Sequence, residues 1–121
     1  MACTTTEAAA RVAAVLAETL YAELVYSEPS ATTPGAPSTL GRIELDMDAV
    51  FTDNYDGTAT NSSAITWDGP ASDLDEQVAI ELWTAASDGT RRFFDYLADP
   101  VTPLAGQDVV IPIGAFVWTE L

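Results

Sequence analysis

Carboxylates are the reactive side chains that this sequence holds in quantity, and very little stands beside them. Nineteen Asp and Glu accompany four Arg, no Lys, no His and a single Cys in 121 residues. Without imidazole there is no histidine general base, no Ser–His–Asp triad and no histidine metal ligand. Without lysine there is no Schiff base and no phosphate-loop ammonium. Cys3 alone can neither close an internal disulfide nor build a thiolate zinc site within one chain, and its terminal position reads as incidental. Paired carboxylates, as used in glycoside hydrolysis, are the one catalytic device left. Here, however, the carboxylates fall on alternating strand positions and in turns, where solvation accounts for them. The chemistry reads as non-enzymatic, with no cofactor.

The oxygen-rich loops invite a test for calcium. "TDNYDG" resembles the start of an EF-hand loop only if Thr52 replaces the first Asp, and the twelfth position is then Ser63 instead of Glu, so the match fails. Asp73, Asp75 and Glu76 could together hold a cation, but they equally describe a solvated acidic loop. Asn61-Ser62-Ser63 is formally a glycosylation sequon, and chance is the better reading of so short a pattern.

A net charge of −15 is the strongest compositional signal. The acids are spread evenly, nine in residues 1–60 and ten in 61–121, which describes a charged skin and not an acidic tail. Phosphate backbones and anionic lipids are repelled by such a surface, so neither nucleic acid nor membrane is an expected partner. Salt would screen its self-repulsion. Lysine-free, acid-rich sequence fits a salt-loving source and a GC-rich genome equally well. Hydrophobic residues at 48% are too many for a disordered chain. No apolar run approaches the roughly 18 residues of a membrane span. The first residues have no basic region ahead of an apolar one, so a secretory signal is not expected.

The elements that position these side chains follow from periodicity. "TTTE" (4–7) matches a capping box, with Thr4 as N-cap and Glu7 reaching back. Alanine-rich sequence with Val12, Leu16 and Leu20 at i, i+4 spacing predicts a helix over about residues 5–18. From Leu20 the pattern alternates, a strand ending near Pro29, although continuation of the helix to residue 26 competes with it. A Pro/Gly/Ser/Thr loop over 29–41 follows, long enough to suggest a functional or mobile segment. "RIELDMDAVF" (42–51) is the clearest strand, with Ile43, Leu45, Met47, Ala49 and Phe51 inward and Arg42, Glu44, Asp46 and Asp48 toward water. Asp56-Gly57 signals a turn. "SSAITWD", "VAIELWTA", "RRFFDYLA", "VVIPI" and "AFVWTEL" supply further strands, with "SDGT" (87–90) closing a hairpin. One helix and about seven short strands in a single domain, 1–121, predict a mainly β fold: an antiparallel β-sandwich or a partly closed barrel.

Several of these strands carry apolar residues on both faces. Trp83 shares a face with Glu81; Phe94 and Tyr96 follow Arg92 on one face; Phe116 and Trp118 face away from Ala115 and Val117. With only one helix to cover a sheet, one such face is expected to meet another subunit. Trp83, Phe94, Tyr96, Phe116 and Trp118 are therefore the interface candidates.

Taken in order, the segments resemble small virion structural proteins of tailed phages, of the minor tail, tail-fibre-like or head-decorating kind. The resemblance covers roughly residues 10–121. "LYAELVYSEP" is similar to that family's "LYVALYT-x-x-P" strand and turn. "TNSSAITW" and "IELWTAASDG" follow, and "PVTPLAGQDVVIPIGAF" looks like its "P-V-x-L-x-A-G-D-x-x-x-I-P-A-G" ending. The chain departs from the pattern at Glu81-Leu82-Trp83-Thr84, where Gly-Leu-Trp-Asp is frequent, and at Gln107-Asp108, where Gly-Asp is usual. The resemblance carries no catalytic residues. It implies a homo-oligomer, a trimer for preference, located in the virion beside proteins such as the major capsid protein. Capsid-surface decoration or a head-associated role is the preferred placement, with a minor tail or tail-fibre protein as the alternative. A carbohydrate- or receptor-binding β-module, with Trp67, Trp83 or Trp118 as a stacking platform, is the competing class.

Overall fold

The computed structural model describes residues 5–119; Cys3, the Thr4 cap and Leu121 lie outside the described residues. The fold is mainly β, its strand pairings antiparallel, with one N-terminal helix, and among the described residues no sheet closes into a barrel. The element order is α1 (Thr5–Leu16), β1 (Thr19–Val25), β2 (Pro37–Asp46), α2 (Met47–Val50), β3 (Phe51–Asp53), β4 (Thr58–Asn61), β5 (Ile65–Trp67), β6 (Gln77–Trp83), β7 (Arg91–Val101), β8 (Val109–Ile111) and β9 (Val117–Thr119). The chain divides into two compact units. One comprises Met1–Thr19, Leu45–Ile65 and Ile111–Leu121, the other Leu20–Glu44 and Thr66–Val110.

In the first unit, α1 lies on a sheet of order β3-β4-β9. Alanine favours the helix, and Ala8, Val12, Val15 and Leu16 turn one buried stripe inward. The stripe ends as the i, i+4 pattern gives way to alternation at Thr19, so the helix stops at Leu16 and does not run on to residue 26. Phe51 meets the rings of Phe116 and Trp118 edge-on at 6.0 and 6.3 Å. The β3–β4 hairpin turns as Asp56-Gly57 suggests. The Thr58 N–H bonds to Asp56 Oδ1 at 3.0 Å, and Gly57 takes φ +89°, a conformation that favours glycine.

In the second unit the sheet order is β2-β1-β6-β7. The β1–β6 and β6–β7 registers set one face of Leu24, Ala22, Ile80 and Leu82, all buried. The opposite face carries three rungs: Tyr21, Trp83 and Arg91; Glu23, Glu81 and Phe94; Val25, Ala79 and Tyr96.

Several expectations change. There are nine strands among the described residues, not about seven. The long loop ends at Ala36, because residues 37–41 already pair in the sheet as the start of β2. "RIELDMDAVF" is broken after Asp46 by the single turn of α2, which leaves Ala49 exposed. Arg42 does not face water; it is largely buried, for a reason given below. The two closing strands do not pair with each other: β8 joins β5, and β9 joins β4.

Asn61 organises the chain between those closing strands. Its Nδ2 donates to the carbonyls of Ser63 (3.0 Å) and Pro112 (2.9 Å), and its Oδ1 accepts the Phe116 N–H at 2.9 Å. Its main chain adds bonds to Phe116 O and Gly114 N. The side chain is 1% exposed with both ends occupied, so the sequon is a coincidence of packing. Asn61→Ala leaves the Pro112 carbonyl and the Phe116 N–H without this partner. It is expected to lower stability by about 2–4 kcal/mol in urea denaturation.

Candidate functional site

The rung of Glu23 and Glu81 is the least expected feature of the molecule. Both residues lie within apolar strands, "YAELVY" and "AIELWT", and are directly opposite in the β1–β6 register. Glu81 is fully buried and Glu23 is 8% exposed. A desolvated carboxylate is costly unless it is paired and hydrogen-bonded, and two of the four arginines meet that need.

Arg91, from β7, bonds through Nη1 to Glu81 Oε2 at 2.8 Å, and the Gly35 N–H donates to the same oxygen at 2.9 Å. Arg91 also donates to the carbonyls of Ser30 and Thr33, and its guanidinium lies 4.7 Å from the centre of the Phe94 ring. Arg42, from β2, brings Nε to 3.4 Å from Glu23 Oε2. It donates to the carbonyls of Ala85 (2.8 Å) and Asp88 (2.7 Å) and stacks 4.1 Å from the Trp83 ring centre. Each arginine thus joins a buried acid, an aromatic ring and a loop. Arg91 holds the loop between β1 and β2, and Arg42 holds the β6–β7 turn.

The loop over residues 26–36 is consequently an ordered cover. Tyr96 donates its hydroxyl to the Pro29 carbonyl at 2.9 Å, and the Ala36 N–H bonds to Ser27 Oγ at 2.7 Å. Gly35 is buried where a Cβ would come within 2.5 Å of the Ser27 carbonyl oxygen, so only glycine brings this N–H to Glu81. With Glu81 beneath this cover, the carboxylate pair has the character of an anchor and not of an acid–base couple open to substrate.

Two carboxyls of this sheet, Glu23 on this face and Asp95 on the other, are shifted from their ordinary range. Glu23 is raised chiefly by burial, with Arg42 opposing and Glu81 adding to the rise. Asp95 on β7 is raised by burial, partly offset by the Tyr96 N–H that it accepts.

Three of the five interface candidates, Trp83, Phe94 and Tyr96, share this one face. Trp83 and Phe94 are partly covered by the arginines, while Tyr96 is 49% exposed. Phe116 and Trp118 are core of the first unit, 4% and 3% exposed, and present no surface within it. Trp67 is completely buried as well, and Arg42 occupies a face of Trp83. The expected stacking platforms are therefore buried or already engaged. Among the described residues no group of three or more His, Cys, Asp or Glu could hold a metal ion. Asp73 instead accepts the Ala105 N–H at 2.8 Å.

The expectation that solvation accounts for the carboxylates fails at Glu23 and Glu81. The overlooked signal is that each has apolar or aromatic neighbours at both i±2 positions: Tyr21 and Val25, Ala79 and Trp83. No family model matches this chain, and no curated protein matches it significantly.

Arg91→Ala leaves Glu81 buried without its counter-charge. Urea denaturation should show a loss of about 3–5 kcal/mol, with faster hydrogen exchange at Gly35. For Glu23 the raised pKa means that, between its ordinary carboxylate value and its folded one, the folded state binds more protons than the unfolded state. Its contribution is full below the unfolded pKa and is lost as pH rises through the folded one. Glu23→Gln should therefore flatten the fall in Tm over that window, read by thermal melts across pH.

Proposed function

We propose that this chain is a non-enzymatic structural protein of a tailed-virus particle, a capsid-surface decoration or head-associated protein that works through contacts with copies of itself and with the shell protein. The observation that carries the assembly part of this reading is β7. It is the longest strand, 11 residues, and lies at the edge of its sheet with β6 as its only strand neighbour among the described residues. Aromatic and aliphatic side chains on it are half-buried on both faces, Phe93 and Leu97 on one, Phe94 and Tyr96 on the other. A long edge with apolar flanks is a template for pairing with another chain. Virion placement rests on the motif resemblance, and the even acidic skin suits a protein displayed at high copy number in solvent. The glycan-binding alternative draws no support from the three tryptophans, each of which is buried or already engaged.

Sedimentation equilibrium at low and high salt tests the assembly. The expected result is an oligomer, trimeric or larger, that tightens as the Debye length falls to about 3 Å near 1 M salt. Ala98→Lys, at an exposed position on β7, should disperse it without disturbing the loop contacts. A monomer at every salt concentration would overturn the reading.

A further inference from the structure

Glu81 holds a buried oxygen that the anchoring contacts leave unused. Its Oε2 accepts from Arg91 Nη1 at 2.8 Å and from the Gly35 N–H at 2.9 Å, while its Oε1 is buried without a hydrogen-bond partner. A buried carboxylate oxygen that lacks a donor is costly. The residue directly opposite in the β1–β6 register is Glu23, on the same face and 8% exposed. Directly opposite residues of an antiparallel pair have Cβ atoms about 4.5–5.5 Å apart, so two glutamate side chains there can bring their carboxyl groups together.

The neighbouring donors are directed elsewhere. Arg91 also donates to the carbonyls of Ser30 and Thr33. Arg42 brings Nε to 3.4 Å from Glu23 Oε2 and gives Nη1 to the carbonyls of Ala85 and Asp88. Trp83, on the adjoining rung, has an Nε1–H that is itself unpartnered, so it does not donate to Glu81. Tyr21 and Tyr96 are the titratable groups of the two flanking rungs, and neither hydroxyl reaches Glu81 Oε1; that of Tyr96 donates to the Pro29 carbonyl. Glu28 in the covering loop and Asp88 in the β6–β7 turn are exposed and add no buried charge. A protonated carboxyl at Glu23 is the donor that the rung itself can supply.

The charges of the cluster allow this. Glu81 accepts two N–H bonds on one oxygen, one of them from a guanidinium, so the negative charge is best held there. Glu23 has only the longer approach of Arg42. With Glu23 neutral, two guanidiniums face one carboxylate, and the carbonyl oxygens of Ser30, Thr33, Ala85 and Asp88 meet the excess positive charge. Burial pushes the Glu23 carboxyl up against the opposing charge of Arg42, and Glu81 across the rung adds to the rise.

We propose that Glu23 is protonated in this rung and donates to Glu81 Oε1, a carboxyl–carboxylate bond that makes the hold on the 26–36 loop depend on pH. Glu81 is the link to the loop, directly through Gly35 and, by way of Arg91, through Ser30 and Thr33. As pH rises through the folded pKa of Glu23, the proton passes to solvent. A donor is then replaced by a second negative charge beside Glu81, and the hold on the loop weakens. This device lies within one sheet and is independent of whether β7 pairs with another chain.

NMR of the full chain from about pH 4 to about pH 8 tests this. The carboxyl ¹³C resonance of Glu23 should titrate above the ordinary carboxylate range, and that of Glu81 should move in the same step. Protection of the Gly35 N–H from exchange, relative to an unstructured chain at the same pH, should fall about tenfold across that step. Glu23→Gln keeps a donor and cannot ionise, so its Gly35 protection should stay level at the low-pH value of the unaltered chain. Trp83→Phe removes the indole N–H and should leave the joint step in place. A Glu81 resonance that does not follow Glu23, level Gly35 protection in the unaltered chain, or loss of the joint step in Trp83→Phe would each overturn the proposal. Should either variant fail to fold, the two carboxyl titrations of the unaltered chain decide it.

Discussion

The second unit depends on the burial of two carboxylates side by side in the middle of a sheet. Glu23 and Glu81 are opposite each other on adjacent strands, so their charges add where solvent is least able to screen them. Such a rung holds only if cations are brought to it. In a chain with four arginines and 19 acids, assigning two arginines to this task is a large commitment. Their reach explains the surrounding architecture. Arg91 spans from β7 to the 26–36 loop, and Arg42 spans from β2 to the turn after β6. Each guanidinium also covers an aromatic ring, so charge and apolar surface are neutralised by the same side chain.

The first unit solves a related problem with a neutral group. The segment between β8 and β9 contains Pro112 and Gly114 and forms no ladder of its own. Its backbone groups are met by Asn61, whose amide offers donors and an acceptor at once. An apolar closing segment stays in place because one buried polar side chain satisfies its irregular backbone. In both units a buried polar side chain fixes a loop.

The features that face outward are consequences of where strands stop. β7 has a neighbour on one side only, and its aromatic residues are covered partly by arginines and partly by nothing within the unit. β1 ends at Val25 opposite Ala79, so Gln77, further along β6, is paired with β7 alone. The evenly distributed charge gives any contact with another chain a marked dependence on salt.

Much of the local structure is legible from residue types alone. The helix over 5–16, the Asp56-Gly57 turn, the 87–90 hairpin turn and the alternation in β1 and β6 are set by the backbone preferences of each stretch. The acidic skin and the lack of histidine and lysine are likewise properties of the sequence. Periodicity reports only that a strand has two faces, and it cannot say what lies against either. The tertiary structure decided that Glu23 and Glu81 are inside, because β2 and β7 bring arginines to that face and the 26–36 loop lies across it. It also decided that Phe116 and Trp118 are core while Tyr96 is half exposed, and that consecutive strands β8 and β9 join different sheets. Those outcomes depend on which distant strand becomes the neighbour, and strand pairing is a long-range choice that no single stretch encodes.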